Sequence, residues 1–125
     1  MKLVIVDNDK ALLRSWELIL TNEGYEALCF GNPALAYQHF SSGAHADVLI
    51  TDYRMPEVNG DLLIRASRKN NFDIDVYVLI SGHLDGMTDS ERKNLSADFA
   101  LKKPVDLQEL LQLLHTLQRE RKHHA

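Results

Sequence analysis

The chain has 125 residues, a formal net charge of −4 and 45% hydrophobic residues, enough for one domain with a single packed core. The acidic balance argues against direct nucleic-acid binding and against a membrane-surface role. The opening MKLVIV is too short for a signal peptide and no stretch is long enough to span a bilayer, so a cytoplasmic location is expected. In chain order, an apolar run at 2–6 (KLVIV) predicts the first strand, and helical periodicity at roughly 10–23 predicts the first helix. Asp9 stands where it can cap that helix, and Gly24 suits its end. Its inner arc is Leu12, Leu13, Trp16, Ile19 and Leu20, and Leu18 falls outside it beside Arg14, Ser15 and Asn22. The second strand is read at 25–30 (YEALCF), where the single cysteine, Cys29, is a small hydrophobe without a disulfide partner.

Pro33 opens a second helix at 33–42, and DVLIT at 47–51 is the third strand. A helix at 60–70 carries Arg65, Arg68 and Lys69, read as a solvated face. The fourth strand is 75–81 (DVYVLIS), followed by a helix at 87–96 with Thr88 and Glu91 as a capping box. FALKK at 99–103 is the fifth strand. The last helix, 106–121, carries six leucines (107, 110, 111, 113, 114 and 117) over roughly 160° of arc, wider than the ~100° of a one-sided stripe. Arg119, Arg121 and Lys122 read as solvated, and His123-His124 as a frayed tail and not a metal site. Five βα units with right-handed crossovers give an α/β fold: a single five-stranded parallel sheet, order 2-1-3-4-5, doubly wound and flavodoxin-like. No linker, repeat or second domain is expected, so residues 1–125 form one unit.

In such a sheet, ligands bind outside the carboxyl ends of the strands, at the switch point of the winding. Strand 1 delivers Asp7, Asn8 and Asp9 there, strand 3 Asp52, strand 4 Ser81 and strand 5 Lys103. With strand 3 central, all of them share one rim around Asp52. Each alone has an ordinary explanation: an Asp caps a helix, a lysine is solvated, a serine closes a turn. Four strand ends of five carrying suitable chemistry is a constellation. Ser81-Gly82 leaves open space for an incoming group, and Lys103 precedes Pro104, where a cis bond would fix the direction of the lysine.

These pieces resemble a response-regulator receiver domain over essentially the whole chain: VDND after strand 1, DVLITDYRMPEVNG through strand 3, VLISGH at strand 4 and KKPVDLQEL at strand 5. The spacing of Asp52, Met55, Pro56 and Gly60 is the most specific element. The resemblance implies that Asp52 is the phosphoacceptor, with Ser81 following the phosphoryl group and Lys103 pairing with it. It places Asp7 and Asn8 on the acidic pair that holds Mg²⁺, with Asp52 and the Arg54 carbonyl as further ligands. It implies a histidine kinase or histidine phosphotransfer protein docking on helix 1 at Arg14, Ser15 and Leu18. The wide leucine arc of the last helix reads either as coverage of the sheet edge or as a homodimer or output-partner face built from helix 4, strand 5 and helix 5. The chemistry agrees, since a carboxylate that forms an acyl phosphate needs Mg²⁺ and a cation to neutralise the phosphoryl oxygens.

Two positions depart from the family's pattern. Asn8 replaces the second acid, which predicts weaker Mg²⁺ binding, since an amide oxygen coordinates without charge. Ala100 stands where an aromatic residue usually turns inward on activation, with Phe99 one place off. Aligning on Lys102 restores Phe99 but loses the Lys-Pro pair, so Lys103 is preferred. Two other classes stay open. One is a phosphorylation-independent degenerate receiver acting as an interaction module. The other is a haloacid-dehalogenase-type phosphatase outlined by Asp7-x-Asp9, Ser81 and Lys103. The latter wants Thr or Val at Ala11, a late acidic pair and a cap domain, and leaves Asp52 and Met55-Pro56 unexplained.

Overall fold

The computed structural model describes residues 1–124, with side chains described through Arg121, so the imidazoles of His123 and His124 lie outside the described residues. Strands β1 (Lys2–Val6), β2 (Glu26–Phe30), β3 (Ala46–Asp52), β4 (Ile74–Ser81) and β5 (Phe99–Lys102) alternate with helices α1 (Lys10–Asn22), α2 (Pro33–Ser41), α3 (Gly60–Lys69), α4 (Asp89–Lys93) and α5 (Leu107–His124). All neighbouring strands are parallel, in the order β2-β1-β3-β4-β5 expected from the sequence. Among the described residues, no helix is long and apolar enough to cross a membrane.

Side-chain alternation along the strands divides the core into two layers. Leu3, Ile5, Val48, Ile50, Val78, Ile80 and Leu101 pack against Leu13, Trp16 and Leu20 of α1 and Leu110, Leu114 and Leu117 of α5. Val4, Val6, Leu49, Tyr77 and Leu79 pack against Ala36 and Phe40 of α2 and Leu63 and Ile64 of α3. Every residue of β3 is buried, as the central strand of a sheet covered on both faces must be.

The helices begin at side-chain caps. Asp9 Oδ1 accepts from Leu12 N–H at 3.2 Å, Asn32 Oδ1 from Leu35 N–H at 2.9 Å, and Asn59 Oδ1 from Leu62 N–H at 2.9 Å. Thr88 and Glu91 form both halves of the expected capping box. Gly24 (φ +91°) closes α1: its N–H donates to Thr21 O and the next N–H, of Tyr25, to Leu20 O, the paired bonds of a Schellman motif. Cys29 is half-buried, and burial pushes its thiol up to about 11.

Three expectations are corrected. The fourth helix, read as 87–96, is a single turn at Asp89–Lys93 with no buried residue. Its sequence has no apolar stripe, and side chains of α3 claim the chain beyond it. Asp61 Oδ1 accepts from Ser96 N–H at 2.8 Å, Arg68 Nε donates to Ser96 O at 3.0 Å, and Arg65 donates to Asn94 O. Arg65 and Arg68 therefore brace this segment and are not merely solvated; Arg68 also lies 4.4 Å over the Tyr77 ring. Arg121 is likewise engaged, on Asp47 at the amino-terminal end of β3.

Asp47 is a buried carboxylate held by the Lys2 N–H, His45 Nε2 and Arg121. Burial alone would raise its carboxyl, but these donors outweigh burial and hold it down at about 2. A folded-state value below the unfolded one contributes stability above about pH 4 that is lost as pH falls toward 2. Asp47→Asn is expected to cost about 1–3 kcal/mol near neutral pH, by weakening the bonds to a buried acceptor. Denaturant unfolding checks this, and the gap between the two proteins should narrow as pH falls through that window.

Candidate functional site

The site stands on the carboxyl ends of three adjacent strands, because β1 and β4 flank β3. Asp7 follows β1, Asp52 ends β3 and Ser81 ends β4, and all three residues are buried. Lys103 follows β5, and its N–H donates to Ser81 O at 3.0 Å, continuing the β4–β5 ladder by one residue. Its ammonium lies 3.0 Å from Asp52 Oδ2 and 4.0 Å from Asp7 Oδ2. Two buried carboxylates thus converge on one cationic point. Burial is the main influence raising the Asp7 carboxyl, with the charge of Asp52 adding to it, while the Asp9 N–H, donating to Asp7 Oδ1 at 2.9 Å, and Lys103 oppose it.

Lys102, the rival alignment, turns away and pairs with Asp85. Adjacent residues of a strand project to opposite sides, so only one of the two lysines can reach Asp52. The peptide bond between Lys103 and Pro104 is cis. Ser81 Oγ accepts from His83 N–H at 3.0 Å, which anchors the turn and leaves the hydroxyl hydrogen able to donate elsewhere.

The other expected residues sit farther out. Asn8 is exposed and lines a groove of about 630 Å³ together with Pro33 and Tyr37 of α2 and Pro56 and Val58 after β3. Asp9 is exposed and committed to capping α1. Asp7, Asp9 and Asp52 do not all present an oxygen within 4.8 Å of one another. Arg54 is exposed in the loop after Asp52. Phe99 is 41% exposed and does not take the inward place of the missing aromatic, and Ala100 is exposed at the register position opposite Leu79. Among the surfaces expected for partners, Leu18 is 64% exposed and shares a shallow groove with Arg14, Glu17 and Thr21.

The loop after Asp52 is shaped by close backbone approach. Glu57 takes a left-handed conformation (φ 73°), and Gly60 N–H donates to Tyr53 O at 2.8 Å. A Cβ on Gly60 would lie 2.2 Å from the carbonyl oxygen of Asp52, so only glycine lets α3 start this close to the site. Thr51, fully buried, donates from Oγ1 to the Asp52 carbonyl at 3.1 Å. Sequence reasoning assigned Thr51 no role and did not find Asp85 as the partner that removes Lys102. Hydroxyls and acids of this kind carry no local signal until the strands are in register.

An open parallel α/β sheet with an acid pair and a lysine gathered at its carboxyl edge belongs to the doubly wound class, which binds its ligands at that edge. The chain belongs to the response regulator receiver domain family, whose sequence profile matches residues 3–115. It is 34% identical over 115 residues to the transcriptional regulatory protein PmrA of Pectobacterium parmentieri, covering 88% of this chain and 49% of that protein. It is 35% identical over 72 residues to the chemotaxis protein CheY1 of Helicobacter pylori strain J99, covering 57% of this chain and 58% of that one. The response regulator TrrA of Thermotoga maritima, solved in complex with Mg²⁺ and BeF, is similar at a TM-score of 0.75 and 26% identity, covering 93% of this chain and 97% of that one. A Francisella response regulator receiver domain has the same fold at a TM-score of 0.83 and 22% identity, covering 96% and 98% of the two chains. The chain spans about half the length of PmrA and of the other transcriptional regulators of similar size that it matches.

Gly60→Ala should destabilise the fold by roughly 1–3 kcal/mol, because backbone must move to admit the methyl group. Gly86→Ala, where nothing lies within 4 Å of the added Cβ, should have little effect. Thermal unfolding of the two variants, with amide shifts around Asp52, checks the pair.

Proposed function

We propose that the chain accepts a phosphoryl group on Asp52 from a phosphohistidine donor, and that the modified site switches a partner-binding face. The observation that carries this reading is the convergence of the Asp52 and Asp7 carboxylates on the Lys103 ammonium, at 3.0 and 4.0 Å. A carboxylate oxygen of Asp52 forms the new bond to phosphorus as the P–N bond of the donor breaks, and the electron pair leaves with the imidazole nitrogen. Lys103 neutralises charge on the phosphoryl oxygens, and the Ser81 hydroxyl donates to one of them. The chain's own residues carry this transfer and the later hydrolysis of the acyl phosphate, and it turns over no other substrate.

The donor types suit Mg²⁺: the Asp7 and Asp52 carboxylates would hold it, with the Asn8 amide and the Arg54 carbonyl as further hard-oxygen ligands, beside the Lys103 ammonium, which cannot ligate a cation. Bound there, Mg²⁺ would supply charge neutralisation at the phosphoryl oxygens. The kinase or phosphotransfer protein docks on α1 at Arg14, Ser15 and Leu18. The output or dimer face is α4, β5 and α5, where the one-turn α4 buries nothing and Phe99 is exposed. Because Ala100 cannot act as an inward-turning aromatic, the response passes through the β4–α4 loop. A cytoplasmic location fits a protein phosphodonor.

A second reading, an interaction module that signals without phosphate, is favoured by the exposed, uncharged Asn8. One experiment on two proteins separates them. With acetyl phosphate and Mg²⁺, the parent should gain acid-stable, hydroxylamine-sensitive phosphate, and Asp52→Asn should gain none while keeping its fold. Phosphate uptake by Asp52→Asn would move the acceptor elsewhere, and no uptake by the parent would favour the second reading.

Asn8→Asp should tighten Mg²⁺ binding. One more unit charge within ~4 Å is worth up to about 4 kcal/mol at an effective dielectric near 20, before desolvation and repulsion from Asp7 and Asp52. A net gain of roughly 1 kcal/mol, several-fold in affinity, is expected after those offsets. Titration of both proteins by Trp16 fluorescence or calorimetry checks it. Equal affinities would mean that residue 8 faces the groove toward α2 and not the cation.

A further inference from the structure

The end of the sheet opposite the site holds a second gathering of titratable groups, which the phosphoryl chemistry does not use. The register sets Ala46 beside Ile74, and Ala46 N–H donates to the Asp73 carbonyl at 2.9 Å. His45, just before β3, therefore lies next to Asp73 and Asp75, the two acids that flank Ile74. One ligand atom from each of these three residues lies within 4.8 Å of the others.

The two ring nitrogens of His45 have different surroundings. Nε2 is 2.9 Å from Asp47 Oδ1, and Asp47 is buried and fixed by the Lys2 N–H and Arg121. Nδ1 is 3.1 Å from Asp73 Oδ1, on the exposed side of the ring. A buried carboxylate that accepts from one ring nitrogen fixes the tautomer, so that the neutral ring presents its lone pair on the other. Proteins orient metal-ligating imidazoles this way. The separation of 3.1 Å is close to the spacing of two donors that share an ion at ~2.0–2.1 Å. The charges are also unbalanced: among the described residues, Asp75 has no cationic partner within 4.0 Å, and Asp73 faces only the imidazole.

We propose that His45 Nδ1, Asp73 and Asp75 form a site for a divalent transition-metal cation of the zinc class, with Asp47 as the group that positions the imidazole. One nitrogen and two carboxylates suit an imidazole-preferring ion better than Mg²⁺. Two carboxylates around a neutral ring balance its charge, and water completes the coordination. Any proton on Nδ1, which lies 3.1 Å from Asp73 Oδ1, leaves to solvent as the cation binds. The bound ion would tie the α2–β3 loop to the start of β4 and, through Asp47, to Arg121 of α5. The proposal stands independently of the reading of Asp52.

The test is calorimetric titration with ZnCl₂ near neutral pH, in excess Mg²⁺ to load any site at Asp52. Both the parent and its variants carry His123→Ala and His124→Ala, so that the terminal imidazoles do not contribute. One equivalent of Zn²⁺ should bind. His45→Ala and Asp75→Asn should each weaken it at least roughly tenfold, and Asp47→Asn, which keeps every ligand, by about tenfold or more. Asp75→Asn alters an exposed residue and guards against a His45 variant that fails to fold. Absence of saturable zinc binding, or binding that Asp75→Asn leaves unchanged, overturns the proposal.

Discussion

Two buried carboxylates, Asp7 and Asp52, and one ammonium, Lys103, are the interaction on which the site depends. Carboxylates this close repel, and burial removes the water that would screen them. The lysine resolves the conflict from one side, and the N–H of Asp9 helps from the other. The sheet creates the conflict in the first place. A parallel sheet covered on both faces has no polar surface except at its strand ends, and β3, buried throughout, delivers Asp52 to the middle of that edge.

Close backbone contact then supports the edge. Gly60 admits α3 against the Asp52 carbonyl, Thr51 holds the same carbonyl from within, and Lys103 N–H extends the ladder past the end of β4. These contacts fix the main chain beneath the carboxylate. The segment after Ser81 is different: a short 3-10 turn, a one-turn α4 and a braced loop, held by Arg65, Arg68 and Arg92 through hydrogen bonds to carbonyl oxygens. Few apolar side chains anchor it, and elements of that kind rearrange at low cost. The part of the domain best suited to move thus adjoins Ser81, and the part least suited to move carries Asp52.

The amino-terminal edge of the sheet repeats the problem in another form. Asp47 is as buried as Asp52, but it is met by three donors and held ionised far into acid. A saturated carboxylate is a structural joint, here between β1, β3 and α5. Asp52, by contrast, is met by one ammonium, at 3.0 Å.

Much of this was legible in the sequence. Apolar runs separated by helical periodicity determined five βα units, and handed crossovers determined a doubly wound sheet. The caps at Asp9 and Thr88 and the stop at Gly24 were local and readable, as was the set Asp7, Asp52, Ser81 and Lys103, because each lies just past the end of an apolar run. What tertiary structure decided depended on register and on partners distant in the chain. Lys102 and Lys103 are chemically identical neighbours; the Lys103-Pro104 pair favoured the second in the sequence, and the pairing of Ser81 with Lys102 in the ladder is what sends one to Asp85 and the other to Asp52. Helix 4 was read too long because a capping box marks where a helix starts, whereas its length depended on α3 side chains capturing residues 94 to 96. Arg121 looked solvated because Asp47 is 74 residues away, and a charge finds such a partner only when the fold brings the two ends together.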